Sequence, residues 1–394
     1  MRRVYLDNNA TTPLLPEVFE AMRPYFFEKF GNPSSSHERG QQARIALEHA
    51  REEVAQLVGA RPSEIVFTSG GTEGDNLAIF GVVASGDHII TSAIEHHAVL
   101  NACKRLETLG AQVTYLPVDS QGRVDPDNIR AALRPNTRLV SVMMANNETG
   151  VVQPVEEIGR IAAEADVWFH TDAVQAAGKI PVNVDRIGCD LLAISGHKLN
   201  APQGTGALYV RAGTLLRAMF QGGPQERGRR AGTENLPGIV GLGTGAALAR
   251  EWLALGKGEE LGALRDRLER GIAQHVDMTL VNGKGAPRTP NTSNIVFECI
   301  AGGSLADALD LKGIAVSTGS ACSSGSAHPP YVLLAMGLAP ELAHASVRFS
   351  LGKQTTPDDI TYVLECVPEV VAKLRAMSPL WKNGTRERLA RTQA

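Results

Sequence analysis

The sequence predicts an α/β protein: a mostly parallel sheet in a large domain, followed by a second, smaller α+β domain. Three observations carry this reading. Short apolar runs alternate with amphipathic stretches up to about residue 250. Beyond that point the pattern changes to charged helical sequence, a lone strand and Gly-rich connections. The length of 394 residues also suits two or three domains, at roughly 150 residues each.

Taken in order, the predicted strands are residues 64–68, 87–91, 112–116, 137–142, 166–170, 190–194 and 206–210, each rich in Val, Ile, Leu or aromatic residues. Most are separated by helical patterns, at residues 40–57, 76–83, 98–109 and 155–165. Parallel neighbours need such crossovers, so strand–helix alternation implies a parallel sheet. In these sheets ligands bind outside the carboxyl ends of the strands. Further along, residues 251–275 read as one long charged helix with Leu at helical spacing. A Gly/Pro stretch (283–290), a strand (293–297), a Gly/Ser-rich stretch (317–326) and two more helical patterns follow, ending in a polar, basic tail from Trp381.

Composition narrows the function classes. Lys and Arg number 39 against 42 Asp and Glu, a net charge of −3, which argues against a dedicated nucleic-acid binder. No apolar run approaches the ~18 residues of a membrane span. The start, Met1-Arg2-Arg3-Val4-Tyr5-Leu6, lacks the apolar stretch of a signal peptide. The five cysteines are scattered without a CxxC pair. That excludes a disulfide scaffold or zinc ribbon and fits a reducing cytoplasm.

The strand ends carry the chemistry. In Ile194-Ser195-Gly196-His197-Lys198 a strand runs straight into a lysine. A lone lysine there is usually a surface residue, but this is also where a Schiff-base lysine belongs. In Phe169-His170-Thr171-Asp172-Ala173-Val174-Gln175 the carboxylate is either a helix N-cap or the partner of a protonated ring nitrogen. His170 and Asp172 share a strand face, but no third ligand has a suggestive spacing, so no metal is expected. Ser69-Gly70-Gly71-Thr72 leads from a strand towards a helix, either a plain turn or a phosphate cradle. Glu95-His96-His97 is either a pair of surface histidines at a helix start or an aromatic face or acid/base over a flat cofactor. Cys322 sits among small residues, Ser320-Ala321-Cys322-Ser323-Ser324-Gly325, unlike the apolar settings of the other cysteines. A thiol so placed suits a nucleophile delivered by motion. Arg348, within Ser346-Val347-Arg348-Phe349-Ser350, offers a carboxylate fork or a surface salt bridge. Gly241-Leu242-Gly243-Thr244-Gly245-Ala246 matches a dinucleotide fingerprint with Glu259 and Glu260 downstream, but lacks a solid strand before it. It reads instead as a small-residue helix packed closely on a neighbour.

Together and in this order the motifs are specific. Tyr5-Leu6-Asp7-Asn8-Asn9-Ala10-Thr11-Thr12-Pro13, Gly31-Asn32-Pro33-Ser34-Ser35-Ser36-His37, Ser69-Gly70-Gly71-Thr72-Glu73, Asn146-Asn147-Glu148-Thr149-Gly150, Arg230-Ala231-Gly232-Thr233-Glu234-Asn235 and the Asp172, Lys198 and Cys322 segments resemble the cysteine desulfurases of nitrogen fixation and iron–sulfur assembly, in the class V aminotransferase family. The resemblance spans residues 4 to about 370. It implies the fold type I of pyridoxal phosphate-dependent transferases. Residues 13–252 would form the large cofactor-binding domain around a seven-stranded sheet, and residues 1–12 with 253–394 the small domain carrying the Cys322 loop.

The same resemblance implies pyridoxal 5′-phosphate on Lys198, with Asp172 at the ring nitrogen, Gln175 at the phenolic oxygen and His96 stacked on the ring in a catalytic role. Gly71, Thr72, Ser195 and His197 would hold the phosphate. Thr233 would reach the phosphate of a neighbouring subunit, making a homodimer. Asn147 would contact cofactor and substrate, and Arg348 the carboxylate of L-cysteine. Cys322 would accept the sulfur and pass it to an iron–sulfur scaffold or another acceptor protein. The sequence departs from the family pattern at Gln203, Pro224 and His328. A selenocysteine lyase or a cysteine β-lyase would need no loop thiol, and an inactive dimeric scaffold would need no lysine.

Overall fold

The computed structural model describes residues 2–318 and 329–381. A short strand β1 (Val4–Tyr5) opens the chain. Seven strands then build the central sheet: β2 (Ile65–Thr68), β3 (His88–Ser92), β4 (Gln112–Leu116), β5 (Thr137–Ser141), β6 (Trp168–Asp172), β7 (Leu191–Ser195) and β8 (Gly206–Val210). All seven predicted strands are present, in the order β2-β8-β7-β6-β5-β3-β4. The β4–β3–β5–β6–β7 ladder is parallel, and β8 pairs antiparallel with both β7 and β2. Only β8 therefore runs against the others. The strands whose ends carry the motifs all finish on one side.

Side chains alternate between the two faces, as strand geometry requires. On β7, Leu192 and Ile194 join the core beneath the helices Glu38–Val58, Val155–Glu164 and Leu236–Ala254. Leu191 and Ala193 join the opposite core, with residues of the helices Gly71–Val82 and His97–Thr108. A third core gathers both ends of the chain, from Val4 and Leu6 to Val347, Phe349 and Val367. It packs around β9 (Thr279–Val281), β10 (Thr292–Phe297) and β12 (Ser346–Ser350), an antiparallel sheet in the order β12-β10-β9. β11 (Ile314–Ala315) pairs parallel with β1.

Two helical expectations change. Residues 251–275 are not one helix: Leu236–Ala254 and Lys257–His275 are separate, with the break at Leu255 and Gly256. Gly256 has φ 69°, a left-handed conformation open to glycine at little cost, and the chain turns there. The helix after β2 begins at Gly71 rather than Asn76. The glycines that read as loop are its first turn, which brings free helix N–H groups up to the strand end.

The glycine-rich segment 241–246 lies inside the helix Leu236–Ala254, with no strand before it. A Cβ on Gly243 would stand 2.6 Å from Ala50 Cα, so the absent side chain lets two helices meet backbone to backbone. Beside that contact, Arg51 makes a two-pronged pair with Glu226 at 2.8 and 2.9 Å. Phe67 N–H also donates to Glu226. The pair anchors a turn in which Glu226 and Arg227 both have positive φ, 47° and 58°. Gly243→Val is expected to lower unfolding stability by about 1–3 kcal/mol through overpacking. Gly303→Ala, in a helix with nothing within 4 Å of the added carbon, should leave stability equal or higher. Denaturant titration of both variants checks this; a tolerated Gly243→Val would refute the close-packing account.

Candidate active site

At the carboxyl ends of β2, β3, β5, β6 and β7 lies a cavity of about 300 Å³. Ten of the predicted site residues line it: Gly71, Thr72, His96, Asn147, Asp172, Gln175, Ser195, His197, Lys198 and Arg348. Thr233 does not. It is exposed and lines a different cavity, with Arg230 and Glu226. Cys322 and His328 lie outside the described residues.

Each group has a structural reason for its position. Asp172 is the last residue of β6, and its Oδ1 accepts from Val174 N at 2.8 Å. Lys198 closes a short 3-10 turn directly after β7. Its Nζ donates to the carbonyls of Asn9 and Ala10. His96 caps the helix His97–Thr108, Nδ1 accepting from Ala98 N at 3.1 Å, which fixes the ring at the cavity wall. Gln175 Nε2 donates to Asn9 O at 3.1 Å. His197 Nδ1 lies 3.1 Å from Thr11 Oγ1, and its imidazole is pushed down to about 4 by burial, then by the charges of Lys198 and Lys179.

Arg348 is 2% exposed. Its Nη2 donates to Asp7 Oδ1 at 2.7 Å and its Nη1 to Asn147 O at 3.0 Å. It is a buried, aimed guanidinium rather than the surface salt bridge that its sequence also allowed.

Three buried carboxyls crowd the strand ends. Burial raises Asp75, Glu95 and Asp172, and charge repulsion from Asp172 raises the other two further. Glu95 is pushed up to about 8 despite accepting from Ser92 Oγ and Met143 N. For Asp172 the opposing pulls come from His96, the Val174 N–H and Lys198. Asp75 Oδ1 faces His170 Nε2 at 3.4 Å, and neither atom has a hydrogen-bond partner among the described residues. Such a wall favours a cation or a protonated nitrogen on its open side. Asp75, His96 and Asp172 bring ligand atoms within 4.8 Å of one another, a spacing that also admits a metal ion. The Lys198 ammonium, which acts on Asp172 and His96 alike, is one cation that the described residues supply.

Several lining residues carried no assigned role in the sequence: Asn9, Ala10, Asp75, Met143, Glu148, Val174 and Tyr331. The signal for Asn9 was a polar run, Asp7-Asn8-Asn9, directly after an apolar strand. Tyr331 packs on the His97 ring with centroids 4.9 Å apart. Glu148 is 1% exposed, and its Oε2 lacks a partner among the described residues. Burial pushes its carboxyl up to about 7 from 4.5, with Arg348 pulling the other way. A folded-state value above the unfolded one means that stability is lost as pH rises from about 4.5 through 7. Glu148→Gln removes this loss. Its stability relative to the parent is therefore expected to rise between pH 5 and pH 8 by up to about 3 kcal/mol. Denaturant midpoints at both pH values decide; a constant difference would refute it.

Known proteins share this architecture. The family model described as Aminotransferase class-V matches residues 4–363. The "Cysteine desulfurase IscS" of Dictyoglomus turgidum is 51% identical over 389 residues, covering 97% of this chain and 98% of the relative. Among solved structures, one described as a NifS-like protein superposes with a TM-score of 0.88 at 38% identity, over 95% of this chain and all of that one. Another, described as SspA in complex with cysteine, reaches 0.78 at 38% identity, over 88% of this chain and 98% of that one. On these matches, with strand-end lysine, aspartate and histidine arranged around one cavity, the chain belongs to the class-V aminotransferase family and, within it, to the group of cysteine desulfurases.

Proposed function

We propose that the protein takes sulfur from free L-cysteine with the help of pyridoxal 5′-phosphate, releases L-alanine, and holds the sulfur on Cys322 as a persulfide for transfer. The observation that carries this reading is the placing of Lys198, Asp172 and His96 around one cavity whose far wall holds Arg348. The residues fit the cofactor in charge and shape. The helix N-terminus at Gly71 and Thr72, with Ser195 and His197, offers donors for a phosphate. The buried Asp172 carboxyl suits a protonated ring nitrogen, and the imidazole of His96 suits stacking on a flat ring. The buried Asn147 Oδ1 has no partner among the described residues, as befits an atom reserved for a ligand.

When bound through Lys198, pyridoxal phosphate supplies an electron sink for charge developing at the substrate α-carbon. The chain supplies the rest. Asp172 would hold a proton on the ring nitrogen, and Gln175 would offer an N–H to the phenolic oxygen. Arg348 and Asn147 hold the substrate carboxylate. The Lys198 amine moves the α-proton. The Cys322 thiolate attacks the cysteine sulfur; an S–S bond forms as the C–S bond breaks, and the three-carbon fragment keeps the electron pair and leaves as alanine after protonation. Persulfidation is reversible, so the sulfur can pass to an acceptor such as an iron–sulfur scaffold protein.

A homodimer completes the site in this reading. Thr233 is exposed and lines a cavity separate from that of Lys198, which suits a role toward a neighbour, and the exposed Phe19, Phe26, Phe27 and Phe30 offer apolar surface for a second copy. Residues 13–252 act as the cofactor-binding domain, and residues 1–12 with 253–394 as the small domain. No helix among the described residues is long and apolar enough to cross a membrane. The four described cysteines are free thiols, as a reducing cytoplasm would keep them.

The test is the visible spectrum with and without L-cysteine, together with sulfide and alanine assays. Wild type should be yellow and release both products. Cys322→Ala should keep its colour and its spectral response to cysteine but lose turnover. If Cys322→Ala stays fully active, the lyase reading replaces this one; a protein that pyridoxal phosphate cannot colour leaves only the scaffold. Arg348→Ala, which removes charge-assisted hydrogen bonds, should weaken cysteine use about 10- to 100-fold, read as kcat/KM.

A further inference from the structure

We propose that Lys179 is a positioning residue that decides which end of the Gln175 amide faces the cavity. This rests on the functional reading above and extends it to a residue that the reading leaves unused. Lys179 lies one turn beyond Gln175, and its Nζ donates to Gln175 Oε1 at 2.6 Å. Gln175 is 6% exposed. Its Nε2 donates to Asn9 O, the same carbonyl that receives Lys198 Nζ.

A glutamine amide is nearly symmetric in shape and opposite in chemistry at its two ends. Turned over, it presents an acceptor where it had presented a donor. An ammonium has three donors and no acceptor. Lys179 therefore holds Oε1 on its own side and leaves the NH₂ group on the cavity side. An oxygen carrying negative charge, such as the phenolic oxygen of the cofactor, needs that donor.

The charges around Lys179 come from several elements. Lys198 follows β7, Arg348 lies on β12, and Lys353 shares a small second cavity with Lys179 and Lys198. Burial, then Lys198 and Arg348, press against a proton on Lys179. A phosphate-bearing, phenolic cofactor brings negative charge that favours keeping it. The short contact to Gln175 Oε1 is in the range of a charge-assisted hydrogen bond.

The experiment titrates the visible absorption of the pyridoxal phosphate-loaded protein with pH. Parent, Lys179→Met, Lys179→Arg, Gln175→Ala and the double variant Lys179→Met/Gln175→Ala are compared. Losing the donor disfavours the anionic phenolic oxygen, so Lys179→Met should raise the spectral midpoint by about one pH unit. Lys179→Arg, which also only donates, should restore it. Lys179→Met should add nothing in the Gln175→Ala background, since residues acting through one contact are non-additive. An unshifted midpoint in Lys179→Met overturns the proposal. So does an equal shift with or without Gln175, because Lys179 would then act by charge alone. If Lys179→Met fails to fold, Lys179→Gln carries the same comparison. An unshifted variant leaves the functional reading standing, whereas a parent protein with no visible band removes both.

Discussion

The site depends on a knot of hydrogen bonds around Asn9. Its N–H group shares a bond with Ser350 Oγ at 2.9 Å. Its side chain donates to Thr292 Oγ1 and Asn147 O and accepts from Asn291 Nδ2. Its carbonyl receives Gln175 and Lys198. One buried residue thus ties β10 and β12 to the ends of β5, β6 and β7. A buried amide with every group matched is a strong constraint, because any slip leaves polar atoms unpaired in a medium that cannot solvate them. The distance between the two sheets, and so the width of the cavity, is set here.

Electrostatics follow from that geometry. Asp75, Glu95 and Asp172 cluster near the strand ends; Lys198 acts on Asp172, and Lys198 and Arg348 act on Lys179. Burial disfavours charge on the three carboxyls and on Lys179 alike. Buried acids and buried bases thus share one cavity region, each offsetting the other's charge. A ligand with a positive ring edge and negative substituents completes it. The same logic explains why Arg348 already holds Asp7: a guanidinium 2% exposed needs a carboxylate before any substrate arrives.

Most of the large sheet was legible because its information is local. β7 alternates residues between two cores with period two, and such a pattern needs no knowledge of the rest of the chain. The motifs at the ends of β6 and β7 could be placed for the same reason. Residues 251–275 misled because a charged, Leu-spaced pattern continues across Gly256, and only the backbone at φ 69° reveals the turn. Glu148 and Lys179 were invisible for another reason. Their roles come from neighbours far along the chain, such as Arg348 beside Glu148, and no spacing rule encodes that. Thr233 could be singled out only through the family resemblance, since within its own chain it lies apart from the Lys198 cavity.

The link between Asn9 and Ser350 joins residues 341 positions apart, and β1 pairs with β11 over nearly the same span. Residues 4–9 are thus among the last to find their partners. The central sheet closes with β8, well before the C-terminal third of the chain exists. A chain that ends before β12 would hold a folded sheet around an unfinished cavity, with Asn9, whose carbonyl receives Lys198, not yet held by Ser350. Contacts of such long range are slow to form. The pocket therefore takes its final shape only once β12 has docked, after the central sheet can already have formed.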